Sequence, residues 1–326
     1  MIIFGEDLGI GANKLFGPAG GLEVQAQVAA EVGKPVTSLL GFTNRKPPMQ
    51  IKVDGMVYYV GAGSHDWGRA IENLDYDRMN GVPETRAILY ASLTHYMNFH
   101  GKIDEDVNVI VGLPLEPLSG ETGLENAEKV KHWLKGNHSW EVENNPYNVF
   151  ISDVKVTSQP SGALFDYLLD DYGMFISERK AHFSQEVGIL SIGFNTIEIL
   201  TVSNRTPVQG MTAGKTVGVR RLLELINKQQ LYTLGELDTR LRAGVLDITS
   251  ALPVWEREVT GQIEKVWGNR WKRFAQVIVV GGGALLLSNT LMAWFNGRLN
   301  IPIDPVMAIS RGLYKQGLMI QNRKVK

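Results

Sequence analysis

Four residues near the amino terminus could together hold an anion. Asp7 ends the apolar run that begins at Phe4, Gly9 and Gly11 bend the chain tightly, and Lys14 returns an ammonium to the same turn. Glycines let backbone N–H groups approach an anion closely, an Asp can hold a hydrated divalent cation, and a Lys neutralises phosphate. Strand, glycine turn and second strand over Phe4 to Lys14 therefore form half of a nucleotide site. A plain hairpin with a solvated Lys has the same pattern, so the reading needs a second half. A dinucleotide fingerprint is excluded, because its glycine turn opens a helix. Here position 14 is Lys, and Gly17 to Gly21 followed by Leu22, Val24, Ala26 and Val28 reads as hairpin and strand.

Three further stretches could supply that half. Gln159-Pro160 opens a helix whose body is expected over Ala163 to Asp171, and helix starts attract anions. Val187 to Ile192, the bend Gly193-Phe194-Asn195 and a partner strand from Thr196 to Val202 repeat the layout of the first hairpin, which suggests two related halves. The strand Val277 to Val280 runs into Gly281-Gly282-Gly283 before a helix from Leu285 to Phe295. Three glycines there permit close approach to a flat or charged ligand, or simply a tight strand-to-helix turn. Two decoys are set aside. Gly214-Lys215-Thr216 resembles the end of a phosphate-binding P-loop, but the spacing requires Gly at 209, which is Gln; a helix is expected from Gly214 to Lys228 instead. His95 and His100 lie five apart on one helix, off a common ligand face.

The elements that position these groups read as an α/β protein. Helices are expected over 85–99 and 123–134 and buried strands over 107–111 and 149–156, with a small inserted subdomain over about 33–82. Leu252 to Phe274 reads as a helix whose Trp255, Trp267 and Trp271 are core. A short strand over Ile303 to Val306 precedes a last helix through Ala308 and Gly312. The 326 residues suit two domains, and a net charge of −1 lacks the basic footprint of direct nucleic-acid binding. The absence of cysteine excludes disulfides and thiolate chemistry. No apolar run approaches the roughly 20 residues of a membrane helix and no signal-peptide layout is present, so a cytoplasmic protein is expected.

Taken in order, the glycine hairpin with Asp and Lys, the helix-opening Gln, the second hairpin, the triple glycine and Ala308-x-x-x-Gly312 resemble the actin-like ATPase superfamily over nearly the whole chain. Tyr58-Tyr59-Val60-Gly61 and Val111-Gly112-Leu113-Pro114 are most similar to its plasmid-segregation ParM/StbA branch. The resemblance implies an actin-like, ribonuclease H-like fold of duplicated domains flanking a nucleotide cleft. Domain I would span 1–165, domain II 166–305, and 306–326 would return to domain I.

By the same resemblance Asp7, Gly9, Gly11, Asn13 and Lys14 form the first phosphate loop and Gly193, Asn195 and Thr196 the second. Gly281, Gly282 and Gly283 would be the adenosine motif, Ala308 and Gly312 the second connecting helix, and Gln159 the residue that orients the attacking water. The implied cofactors are ATP or GTP with Mg2+, positioned through water by Asp7 and with Glu198 as a second candidate. The implied activity is nucleotide hydrolysis coupled to self-association into filaments that segregate plasmid DNA through an adaptor protein. The alternatives are a small-molecule kinase of the same superfamily or a nucleotide-binding structural protein with weak hydrolysis. Ser191 and Glu198 stand where the family usually has Asp, and Phe194 where a small residue is usual, which allows slow hydrolysis.

Overall fold

The computed structural model describes residues 1–33 and 45–324, so part of the expected 33–82 insert lies outside the described residues. Among the described residues one sheet holds β1 (Ile2–Leu8), β2 (Ala12–Gly17), β3 (Gly20–Gln25), β4 (Val28–Glu31), β5 (Met49–Val53), β6 (Met56–Val60), β7 (Gly68–Ile71), β8 (Val107–Leu113), β9 (Gly136–Val142) and β10 (Asn145–Ser158). Their order is β3-β2-β1-β8-β10-β9-β5-β6-β4-β7. The central β1, β8 and β10 run parallel, while β2 returns antiparallel to β1 with Lys14 opposite Asp7.

A second sheet, ordered β13-β12-β11-β15-β16, contains β11 (Val187–Ile192), β12 (Ile197–Ser203), β13 (Thr206–Pro207), β14 (Ala213–Lys215), β15 (Gln276–Val280) and β16 (Leu299–Asn300), with β14 paired to β12. It repeats the plan of the first: a hairpin, β11 with β12, whose first strand lies parallel to a later strand, β15. β1 and β11 are both buried almost throughout, as strands covered on both faces must be.

The helices are α1 (Pro83–His100), α2 (Gly123–Leu134), α3 (Gln159–Leu168), α4 (Ser177–Lys180), α5 (Val219–Ile226), α6 (Leu234–Arg242), α7 (Leu252–Trp267), α8 (Gly282–Leu286), α9 (Ser288–Phe295) and α10 (Ala308–Lys324). Between the two lobes α3 crosses α10, which also lies on β1 and β8. A Cβ on Gly312 would fall 1.8 Å from the Gly162 carbonyl oxygen, and one on Gly5 2.1 Å from the Ser310 carbonyl oxygen. Absent side chains thus set how closely α10 approaches both α3 and β1.

Several expected elements change. The helix after Gln159 begins at Gln159 itself and stops at Leu168, because Leu169 is extended and bridges Phe175. Gly214 and Lys215 start no helix: Gly214 pairs with Glu198 on β12, and the helix begins at Val219. The tryptophan helix ends at Trp267, where Gly268 takes a φ of 49°, yet Trp255, Trp267 and Trp271 are core as expected. The helix after the triple glycine breaks at Leu287. No strand forms over 303–306; Ile303 is fully exposed and Asp304 Oδ1 accepts the N–H groups of Val306 and Met307 ahead of α10.

Candidate functional site

The side chains around the first turn are bonded to one another. Asp7 ends β1 almost wholly buried; its Oδ1 accepts Gln159 Nε2 at 2.7 Å and its Oδ2 accepts Lys14 Nζ at 3.2 Å. Strand pairing brings Lys14 opposite Asp7, and the parallel neighbours β8 and β10 deliver Gln159 to the same end of the sheet. Ser158 caps α3 by accepting the Ser161 N–H, which fixes the helix start on which Gln159 stands.

The second turn faces the first. Its carbonyls at Gly193, Phe194 and Asn195 accept the N–H groups of Val219, Arg220 and Gly218, so the start of α5 holds the turn in place. The Asn195 Oδ1 is buried without a partner among the described residues. Phe194 lies directly on Gly11: a Cβ there would be 2.4 Å from the Phe194 Cβ. The contact between the two turns is thus what excludes a side chain at Gly11.

Between the lobes lies a cavity of about 450 Å³ lined by both turns, including Asp7, Gly9, Gly11, Lys14, Gln159, Ser191, Gly193, Asn195 and Thr196. Gly281 and Gly282 form another wall beside Leu285, Leu286 and Val306. Gly281 has a φ of 90° and donates its N–H to the Pro305 carbonyl, while Gly282 has open space on its Cβ side. The polar end at the turns and the apolar end at these leucines suit a ligand with an anionic tail and a flat ring.

Not every expected residue reaches this cavity. Asn13 is buried away from it, donating to Ser92 Oγ on α1 at 2.8 Å. Gly283 instead packs on Ile192, Ala308 is buried, and Gly312 serves the α3–α10 contact. Glu198 is not among the residues that line the cavity. It is buried, and its Oε2 accepts the Leu115 N–H at 2.8 Å. Burial pushes its carboxyl up to about 7, against the lowering effect of the Leu115 bond.

Other lining residues were not foreseen. Asp238, Leu241 and Arg242 on α6 and Glu23 on β3 also line the cavity. Arg242 Nε donates to Asp238 Oδ2 and its Nη1 to Glu23 Oε1, both at 2.8 Å. No local spacing announces them; the four-residue step from Asp238 to Arg242 is the one signal available, and it is common on solvated helices.

Residues 5–162 match the family described as the actin like proteins N terminal domain. The chain has the actin-like fold. Among solved structures it is similar to actin-like protein Alp7A (TM-score 0.76, 13% identity, covering 99% of this chain and 98% of that one). It is also similar to a 15-stranded ParM filament from Clostridium botulinum (0.71, 17%, 97% and 98%) and to the archaeal actin homolog Ta0583 in complex with ADP (0.71, 16%, 97% and 99%). The sequence has no match among curated proteins. No helix of the described residues is long and apolar enough to cross a membrane.

The actin-like cleft fits a nucleotide on this chain's own geometry: a lysine and backbone-lined turns meet at one end of a cavity with an apolar far wall. A divalent ion fits less completely. Among the described residues no group of three His, Asp or Glu side chains is placed to hold one, and both Asp7 oxygens are already engaged. Asp7 could hold such an ion only through water, with phosphate oxygens supplying other ligands.

Proposed function

We propose that this chain is a nucleotide-dependent, filament-forming protein that hydrolyses ATP, or GTP in its place, and drives plasmid DNA segregation through an adaptor. The observation that carries the nucleotide reading is the Gln159–Asp7 bond, made where two glycine turns face one cavity. Lys14 and the turn amides would hold phosphates, and the leucine wall beyond Gly281 and Gly282 would take the base. Gln159 would orient water, a role suited to an amide that is no strong base. Mg2+ would supply charge neutralisation at the phosphates. The domains would be 1–165 and 166–305, with a return over 306–326.

Self-association is supported by the filament structure among the similar proteins. Head-to-tail contacts that do not close generate such polymers. The near-neutral charge supports engagement of DNA through an adaptor rather than directly. Electron microscopy and light scattering of the purified protein with ATP or GTP and magnesium, alongside phosphate release, test the proposal. Polymer that forms with nucleotide and releases phosphate is expected. No polymer under any nucleotide would sink the filament reading, and polymer without phosphate release would leave a structural protein in its place.

A further inference from the structure

A net charge of −1 conceals a separation of sign between the lobes. On the first lobe the helical turns Tyr76–Asn80 and Glu116–Leu118 pack against α2. Trp133 Nε1 donates to the Met79 carbonyl at 2.7 Å, Asn126 Nδ2 to the Pro117 carbonyl at 2.9 Å, and the Tyr76 hydroxyl to Glu116 Oε2 at 3.2 Å. These bonds join three segments into one face. Asp75, Asp77, Glu116 and Glu121 are exposed on it, together with Leu124, which is 84% exposed near the start of α2. The lysines of α2 do not offset these carboxylates, because Lys129 pairs with Glu125 and Lys131 with Glu128 on the same helix. The Glu125 bond raises the pKa of Lys129 and Asp77 adds to it, so the field of the turn reaches the helix.

The second lobe carries the opposite sign. There the helical turn Gly268–Arg273 is anchored by Trp271, packed edge-on against Phe295 with ring centroids 5.3 Å apart, while Arg270, Lys272 and Arg273 are exposed. Arg257 and Lys265 are exposed on α7, which leads into this turn. Among the described residues Arg273 pairs with Glu186, and the other four cations have no carboxylate within 4 Å. β15 begins just after the turn and runs to Gly281 on the cavity wall, so the basic edge lies on the side of its lobe away from the cavity. Nucleic acid would satisfy the basic edge alone and be repelled by the acidic face. A second copy satisfies both, since one polypeptide carries the two complementary surfaces.

We propose that the acidic face formed by α2 and its two helical turns docks on the basic edge around residues 268–273 of a second copy of this chain. The two surfaces differ, so the contact is head-to-tail in kind and can repeat from copy to copy. It names surfaces for the self-association proposed above and rests on that reading, but the first arm of its test does not.

That arm is sedimentation velocity on nucleotide-free protein. Association is expected at about 0.01 M salt, where charges act over roughly 30 Å, and is expected to vanish at about 1 M, where they act over roughly 3 Å. Glu121→Lys with Glu125→Lys, and separately Arg270→Glu with Lys272→Glu, should each weaken association about tenfold or more, since like charges then face each other. A chain carrying all four substitutions should regain it, which a merely damaged fold would not do. No association of the unaltered chain at low salt, equal association in all the proteins, or a four-site chain as weak as either pair overturns the proposal.

In the second arm ATP and magnesium are added and the critical concentration for polymer is read by light scattering. It should rise about tenfold or more in each reversed pair and return in the four-site chain. Unchanged critical concentrations also overturn the contact. If the unaltered chain forms no polymer, the filament reading fails and sedimentation alone decides.

Discussion

Gln159 Nε2 donates to Asp7 Oδ1 at 2.7 Å, tying the first residue of α3 to the end of β1. The bond leaves the amide oxygen as the group able to accept from water, and it holds that oxygen at the turn end of the cavity. Gln159→Ala is expected to lower single-turnover phosphate release by about 100-fold, the scale of losing one positioning contact. Nucleotide affinity should stay within about threefold, because Lys14 and the turn amides remain. Equal rates for the two proteins would remove Gln159 from the chemistry.

The contact between the turns gives a second prediction. Gly11→Ala places a methyl 2.4 Å from the Phe194 Cβ, so one turn must move. Overpacking of this kind costs about 1–3 kcal/mol. Urea denaturation should show that loss along with weakened nucleotide binding, and Phe194→Gly, which removes the clashing Cβ, should recover much of both in the same chain. Absence of recovery would mean that the Phe194 contact is not what demands glycine at position 11.

The two turns were legible in sequence because their information is local: an apolar strand, glycines, and a Lys seven residues after an Asp. The triple glycine was legible for the same reason. β9 was missed although His138, Trp140 and Val142 alternate inward along it, since short charged stretches around it mask a period of two. The strand expected over 303–306 failed for the opposite reason: Ile303 and Val306 suggested burial, but Pro302 and Pro305 withdraw N–H donors and Asp304 caps the following helix. Arg242 and Glu23 could not be paired from sequence because 218 intervening residues must fold first. The bond from the Leu115 N–H to Glu198 Oε2 was likewise not legible, because it joins β12 to a loop 83 residues away.

Glu6 predicts a pH dependence. It is fully buried on β1, both carboxyl oxygens lack partners among the described residues, and burial pushes its carboxyl from 4.5 up to about 8 despite the neighbouring Asn13. Between those values the unfolded chain has released the proton while the folded chain keeps it. Stability from this group is therefore full below pH 4.5 and is lost as pH rises to about 8, a span on the order of 5 kcal/mol. Glu6→Gln keeps a neutral group of similar shape, so its denaturant-derived stability should fall less across pH 5 to 8. Parallel profiles for the two proteins would show that Glu6 does not titrate in this range.

The α3–α10 crossing gives the last prediction. A Cβ on Gly312 meets the Gly162 carbonyl at 1.8 Å and the Asp166 N–H nitrogen at 2.6 Å, both backbone atoms that cannot rotate aside. Gly312→Ala must therefore push the helices apart, at a cost of about 3 kcal/mol or more. Gly210→Ala is the control, because nothing lies within 4 Å of its added methyl. Since α3 begins at Gln159, the displacement should also disturb the Gln159–Asp7 bond, and any folded Gly312→Ala protein should release phosphate more slowly than the Gly210→Ala protein. Equal stability and equal rates in the two variants would show that the crossing tolerates a methyl and that Gly312 is not what sets its distance.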